Sequence, residues 1–174
     1  IKVSGGLFLD IMIHDFDQSR FLLGDEPEEV YACANCQVDP EIGKAGDVDT
    51  AMVVITFKKG AICHIDNSRR AVYGYDQRAE VFGSKGHAFT KNMHDHNAVV
   101  GGATGYSEPP IYNYFMERYM PAYAVEGKLF VQCIKEAKTP PSTGYDGRIS
   151  VLMGYAAMKS LKEKRPVKIS EVDR

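Results

Sequence analysis

Residues 50–70, TAMVVITFKKGAICHIDNSRR, hold two strand-like runs around a Lys-Lys-Gly turn, the pattern of an antiparallel hairpin. The first run is apolar on both alternations, with Ala51, Val53, Ile55 and Phe57 on one side and Met52 and Val54 on the other. Successive side chains of a strand point to opposite faces, and a strand apolar on both faces should be buried on both. One cover has to come from helices of this chain. The other face is expected to pack against another subunit.

Working outward, VYACANCQV (30–38) reads as a strand and RAEVFGSKGHAFTKN (78–92) as a second hairpin turning at GSKG. The opening IKVSGG reads as the end of a strand with no initiator Met, so the chain is expected to begin inside a structure. A helix is expected over 7–23, closed by Gly24 as a left-handed cap with Pro27 beyond it. Residues 92–111 read as an irregular loop. A helical pattern over 112–138 is expected to break or kink at Pro121, because proline removes a backbone donor and clashes with the preceding turn. Asp146 can cap a last helix whose Ile149, Leu152, Met153, Ala156, Ala157 and Leu161 form an apolar stripe. The segment KRPVKI (164–169) is a short tail or edge strand. Helix, hairpins, then helices is the order of an α+β fold: a large, mainly antiparallel open sheet with helices on one face. At 174 residues, one domain spanning 1–174 is expected.

The bulk composition narrows the function. With 21 basic and 23 acidic residues and no basic stripe, nucleic acid is not an expected partner. No apolar run approaches the roughly 18 residues of a membrane helix and no signal peptide is visible, so no membrane partner and a cytoplasmic location are expected. Cys33 and Cys36 form a C-x-x-C, but residues three apart on a strand face opposite ways, which favours structural thiols over a metal or redox pair. Cys63 and His64 likewise face apart. His94 and His96 in HDHN lack a clear third ligand, and no metal site is expected.

The chemistry-bearing residues lie on the first helix. Asp10, His14 and Asp17 are spaced to share one face among Leu7, Phe8, Ile11, Met12, Ile13 and Phe16. An Asp one turn before a His can orient the imidazole and stabilise its charged form, leaving the other ring nitrogen to move a proton. The same spacing also suits an Asp favoured by the helix dipole beside an ordinary surface His. No G-x-S-x-G nucleophile motif is present, and neither GGATGY nor FGSKG makes a dinucleotide fingerprint.

Three stretches, SGGLFLDIMIHDFDQSRFLLGDEPEEVYA, SRRAVYGYDQRAEVFGSKG and PPSTGYDGRISVLMGYAAMKSLKEKRPV, resemble the C-terminal half of the glucose-fructose oxidoreductase / inositol dehydrogenase / MocA family. The resemblance covers essentially the whole chain and is nearest to the inositol 2-dehydrogenases, chiefly through AVYGYDQR. It implies a dihydrodipicolinate-reductase-like C-terminal domain for substrate binding and oligomerisation, with a homodimer or homotetramer formed through the open sheet. The family's N-terminal Rossmann domain, with its bound NAD or NADP and its catalytic Lys, is absent from this chain, which is therefore expected to be inactive alone. The implied reaction is hydride transfer between a polyol or sugar carbon, an inositol by resemblance, and the nicotinamide. His14 matches the general base and Asp10 the residue that holds the reacting hydroxyl. Tyr73 and Tyr75 fall where inositol enzymes line the substrate pocket, and Asp17 could reach cofactor or polyol. Two other classes compete: a non-catalytic dimerisation or sugar-binding module, and a metal-dependent lyase or hydrolase using His14, His64 or the His94/His96 loop.

Overall fold

The computed structural model describes residues 3–173; of the strand end expected over IKVSGG, Ile1 and Lys2 lie outside the described residues and 3–5 form a turn. A π-helical turn at Leu7–Ile11 runs into α1 (Met12–Leu23), then β1 (Pro27–Asn35), a short α2 (Pro40–Lys44), β2 (Thr50–Phe57) and β3 (Ile62–Ser68). Two hairpins follow, β4 with β5 (Glu80–Gly83, Gly86–Phe89) and β6 with β7 (Val100–Gly102, Gly105–Ser107). The chain ends with α3 (Phe115–Glu136), α4 (Gly144–Glu163), β8 (Val167–Lys168) and a 3₁₀ turn at Ile169–Glu171. It divides into two compact units, Ile1–Arg70 with Ser142–Arg174, and Ala71–Pro141.

The first unit is an α+β layer. Its sheet has the order β3-β2-β1-β8 with every neighbour antiparallel. One face is sealed by Leu7, Met12 and Phe16 from the first helix and Met153 from α4, packed with Val30, Val53 and Ile55 of the sheet, all fully buried. Each such side chain contributes about 1.5–3 kcal/mol through removal from water. Tyr31, Met52, Val54 and Ile62 lie exposed on the alternate positions, with Tyr31 opposite Val54 and Val54 opposite His64. The two-sided character of the 50–70 hairpin is therefore real, and helices cover one side of it.

The first strand is displaced from the expected 30–38. Asp49, fully buried at the entry to β2, accepts hydrogen bonds from the N–H groups of Gln37, Val38 and Asp39 at 2.7–2.9 Å. Those donors are taken from the ladder, so pairing stops at Asn35. At the other end Pro27 opens the strand, a position where a missing N–H is tolerated. In α4 the cap is Thr143 rather than Asp146; the Asp146 carboxylate reaches back to the Thr143 N–H and hydroxyl at 2.7 and 2.8 Å. The segment read as tail or edge strand supplies β8, which pairs with β1.

In the second unit, β4–β5 turns at GSKG as expected. The stretch read as an irregular loop contains β6–β7, three-residue strands too short and too glycine-rich to show a period. The expected break at Pro121 does not occur: α3 runs through it as one element. Its first turn is held independently, since the Glu117 carboxylate accepts the N–H groups of Asn113 and Tyr114 at 3.2 and 3.1 Å.

Two carboxylates make the first unit acid-sensitive. Glu171 is held down to about 2, first by the Arg165 guanidinium and then by the Lys168 N–H. Burial pushes Asp49 up, but its three backbone donors and the Cys36 thiol outweigh that and hold it well below the usual carboxylate range. Unfolded Asp and Glu titrate near about 4, so the stabilisation is present above that pH and is lost as pH falls toward 2. Thermal melts followed by circular dichroism should show a flat midpoint above about pH 5 and a falling one between about 4 and 2. Glu171→Gln should remove part of that slope, and an unchanged slope would refute the assignment.

Candidate active site

The apolar side of the first helix is spent on the core, which leaves Asp10 and His14 exposed on the other. Asp10 lies in the π-turn, where the Met12 N–H bonds the Leu7 carbonyl five residues back. Such widened turns recur at functional sites. Among the described residues neither the Asp10 carboxylate nor the His14 imidazole has a hydrogen-bond or ion-pair partner. The fold uses neither side chain, so both are available to a ligand. An imidazole beside a carboxylate can take the proton of a ligand hydroxyl while the carboxylate accepts or orients the hydrogen bond.

Asp17, one turn further, is engaged differently. Its Oδ1 lies 3.6 Å from the buried Arg20 guanidinium and accepts the Ser150 hydroxyl at 3.4 Å. Arg20 also grips Glu26 at 2.7 and 3.1 Å and Asp146 at 3.2 Å, and these acceptors raise its already high pKa against the opposing effect of burial. That cluster joins the end of α1 to the start of α4, and Asp17 is half committed to it. On the next residue round, Asp15 accepts the Asn67 amide at 3.0 Å and ties α1 to β3.

Tyr73 and Tyr75 belong to the second unit, where Gly74 explains their spacing. Its φ is 133°, and a Cβ there would stand 2.4 Å from Ile111 Cγ1, so only glycine lets the chain pass. The Tyr75 N–H donates to the Tyr112 carbonyl at 2.7 Å, and the Tyr75 ring meets Tyr119 edge-on at 6.1 Å. Tyr73 remains exposed and donates its phenol proton to Asp76 at 2.5 Å. Arg78 holds Asp76 through Nε and a terminal nitrogen at 2.7 and 2.8 Å, and Asn92 donates at 2.6 Å. Arg78 above all keeps Asp76 well below the usual carboxylate range, and the charged Asp76 pushes the Tyr73 phenol up. With its O–H directed to Asp76, Tyr73 keeps oxygen lone pairs that can accept from a ligand hydroxyl.

Of the remaining candidates, the two loop histidines have structural partners. His94 Nδ1 bonds the Pro109 carbonyl at 2.7 Å and His96 Nδ1 accepts the Ala98 N–H at 3.2 Å, both within the loop. Cys63 turns toward the core and His64 to the open face. Cys33 is exposed on the sheet, whereas Cys36 lies past its end and donates to the Asp39 carbonyl at 2.9 Å. Among the described residues no three His, Cys, Asp or Glu side chains gather as a metal site, and no helix is long and apolar enough to cross a membrane. Sequence reasoning missed two carboxylates: Asp47, which accepts the Leu7 N–H at 3.1 Å in the first unit, and Asp76, which accepts from the Tyr73 phenol in the second. Asp76 stands beside motif residues in AVYGYDQR, whereas Asp47, in GDVD, has no local signal.

Comparison with known proteins shows the family. Residues 1–89 match the model of the GFO/IDH/MocA C-terminal domain. A myo-inositol 2-dehydrogenase of Thermotoga maritima is 54% identical over 172 residues, 99% of this chain and 52% of that protein. The crystal structure of a probable dehydrogenase from Thermotoga maritima superposes with a TM-score of 0.96 at 53% identity, over 99% of this chain and 52% of its own. A scyllo-inositol dehydrogenase from Lactobacillus casei, solved with NAD(H) and scyllo-inositol bound, gives a TM-score of 0.87 at 27% identity, over 96% and 49%. The chain spans about half the length of the curated relatives it matches.

Proposed function

The chain belongs to the GFO/IDH/MocA family, and from that membership we propose that the whole protein is a nicotinamide-dependent dehydrogenase of an inositol or related polyol. Residues 1–174 serve as its substrate-binding and oligomerisation domain. One observation carries the reading: Asp10 and His14 stand exposed and unused by the fold on a helix whose Leu7, Phe8, Met12 and Phe16 are buried in the core. In the oxidation, the secondary alcohol becomes a ketone. NAD or NADP, when bound, supplies the acceptor for the hydride that leaves the carbon. His14 takes the proton from the alcohol oxygen, and Asp10 holds that hydroxyl and offsets the charge of the resulting imidazolium. In the second unit, Tyr73 and Tyr75 are candidate polyol contacts in their own right, Tyr73 as a hydroxyl acceptor, and in the first unit Asp17 steadies the far end of the helix.

The described residues include no glycine-rich turn from strand to helix that would cradle a dinucleotide; FGSKG and GGATGY both close hairpins. The cofactor is therefore assigned to the part of the relatives' length that this chain does not span, and residues 1–174 alone are expected to be inactive. The exposed Tyr31, Met52, Val54 and Ile62 support a homodimer or homotetramer built on the open sheet face, and the whole protein is assigned to the cytoplasm. The test is nicotinamide reduction by the whole protein with myo-inositol and scyllo-inositol. Reduction that requires the polyol is expected. Folded, oligomeric protein that binds polyol yet reduces neither NAD nor NADP would favour the non-catalytic module instead.

A further inference from the structure

We infer that Asp47 is a positioning residue for Asp10: its carboxylate, braced by Arg69, fixes the π-turn that sets Asp10 against His14. The inference rests on the reading of Asp10 and His14 as the reacting pair. Asp47 lies forty residues from the start of the turn, yet its Oδ1 accepts the Leu7 N–H at 3.1 Å. Its Oδ2 accepts from the Arg69 guanidinium at 3.1 Å, and the two side chains are only 12% and 18% exposed. A charge-assisted pair withdrawn from water in this way holds its geometry more firmly than an exposed one.

The backbone is shaped to receive that carboxylate. Gly5 and Gly6 have φ of 89° and 76°, and a Cβ on Gly6 would stand 2.5 Å from Asp47 Oδ1. The turn is confined on its other side as well, where a Cβ on Gly154 of α4 would stand 2.4 Å from Leu9 Cδ2 and 3.4 Å from the Phe8 carbonyl. So the π-turn is gripped between a carboxylate and a helix, at the two places where only glycine leaves room. The consequence falls on Asp10. An α-helix carries residue i+4 past a full turn by about 40°, and the wider π-turn removes part of that excess. Asp10 comes more nearly into line with His14 than an unbroken α-helix would place it.

If Asp47 acts through Asp10, the two substitutions cannot be independent. In the whole protein, Asp47→Ala is expected to lower kcat for polyol oxidation by up to about 10²-fold, the scale of an ångström-sized misplacement. Asp47→Asn keeps an acceptor for the Leu7 N–H and should restore most of that loss. In an Asp10→Asn background, Asp47→Ala should lower kcat less than about twofold further. Equal factors in both backgrounds would show that Asp47 merely stabilises the fold and would overturn the inference. A second readout is independent of turnover: the Met12 amide, protected by its bond to the Leu7 carbonyl, should exchange faster in Asp47→Ala. Unchanged Met12 protection overturns the inference. Absence of polyol oxidation in the unsubstituted protein overturns instead the catalytic reading on which it stands.

Discussion

Replacing His14 by alanine is expected to lower kcat for polyol oxidation by the whole protein about 10²–10⁴-fold, the usual worth of a positioned proton acceptor. In barrier height that is about 3–5 kcal/mol. The loss should fall on kcat, because the imidazole's contribution is realised as the hydroxyl proton leaves, not when the polyol docks. Folding should be indifferent to the change: His14 is exposed and makes no side-chain contact that the fold depends on. An unaltered melting midpoint therefore has to accompany the loss. Added imidazole should recover part of the rate in His14→Ala, since the truncated side chain leaves an open site beside Asp10. Near wild-type kcat in the folded variant would remove His14 from the chemistry and return its helix face to the dipole-and-surface explanation.

The elements that could be read from sequence are those whose reason is local. The hairpin of β2 and β3 declares itself because alternation and a turn lie within twenty residues, and its two-sided apolarity anticipated the uncovered sheet face. The first helix was legible in extent, yet its π-turn was not, because an apolar stripe at this spacing is compatible with either winding over one turn. The turn's first N–H, that of Leu7, donates to Asp47, a partner forty residues away that no local pattern reveals. The strand end at Asn35 has the same origin: Asp49 captures three N–H groups from a different element, a bond no pattern in VYACANCQV announces. Pro121 was expected to break or kink its helix, and the break does not occur. The local rule was sound, but one missing donor does not end a helix whose first turn Glu117 already closes.

The site divides along the same line. Asp10 and His14 could be proposed from spacing, while Tyr73 and Tyr75 came from resemblance, since two tyrosines around a glycine have no chemistry of their own. The structure supplies a reason for that triplet: Gly74 lets the chain pass Ile111, and Asp76 fixes the direction of the Tyr73 proton. A carboxylate tied down by an arginine and three residues from a tyrosine is a more specific signal than either tyrosine, and it is written in YGYDQR.

Phe16→Ala is expected to cost about 3–5 kcal/mol, and Phe21→Ala less than about 0.5. The two residues have the same side chain and stand on the same helix. Phe16 is fully buried between the sheet and α4, whereas Phe21 is 83% exposed. Truncating Phe16 forfeits its transfer from water and leaves a void that Met12 and Met153, themselves fully buried, can only partly fill. Truncating Phe21 removes a ring that water reaches in the folded and unfolded states alike, so the two states lose nearly the same amount. Denaturant unfolding of both variants at several protein concentrations measures the difference. A Phe21→Ala cost above about 1 kcal/mol that grows with protein concentration has one physical source, a surface that buries Phe21 only when chains associate. In that event the assembly extends beyond the open sheet to the end of α1, and the oligomer proposed from Tyr31, Met52, Val54 and Ile62 needs a second contact.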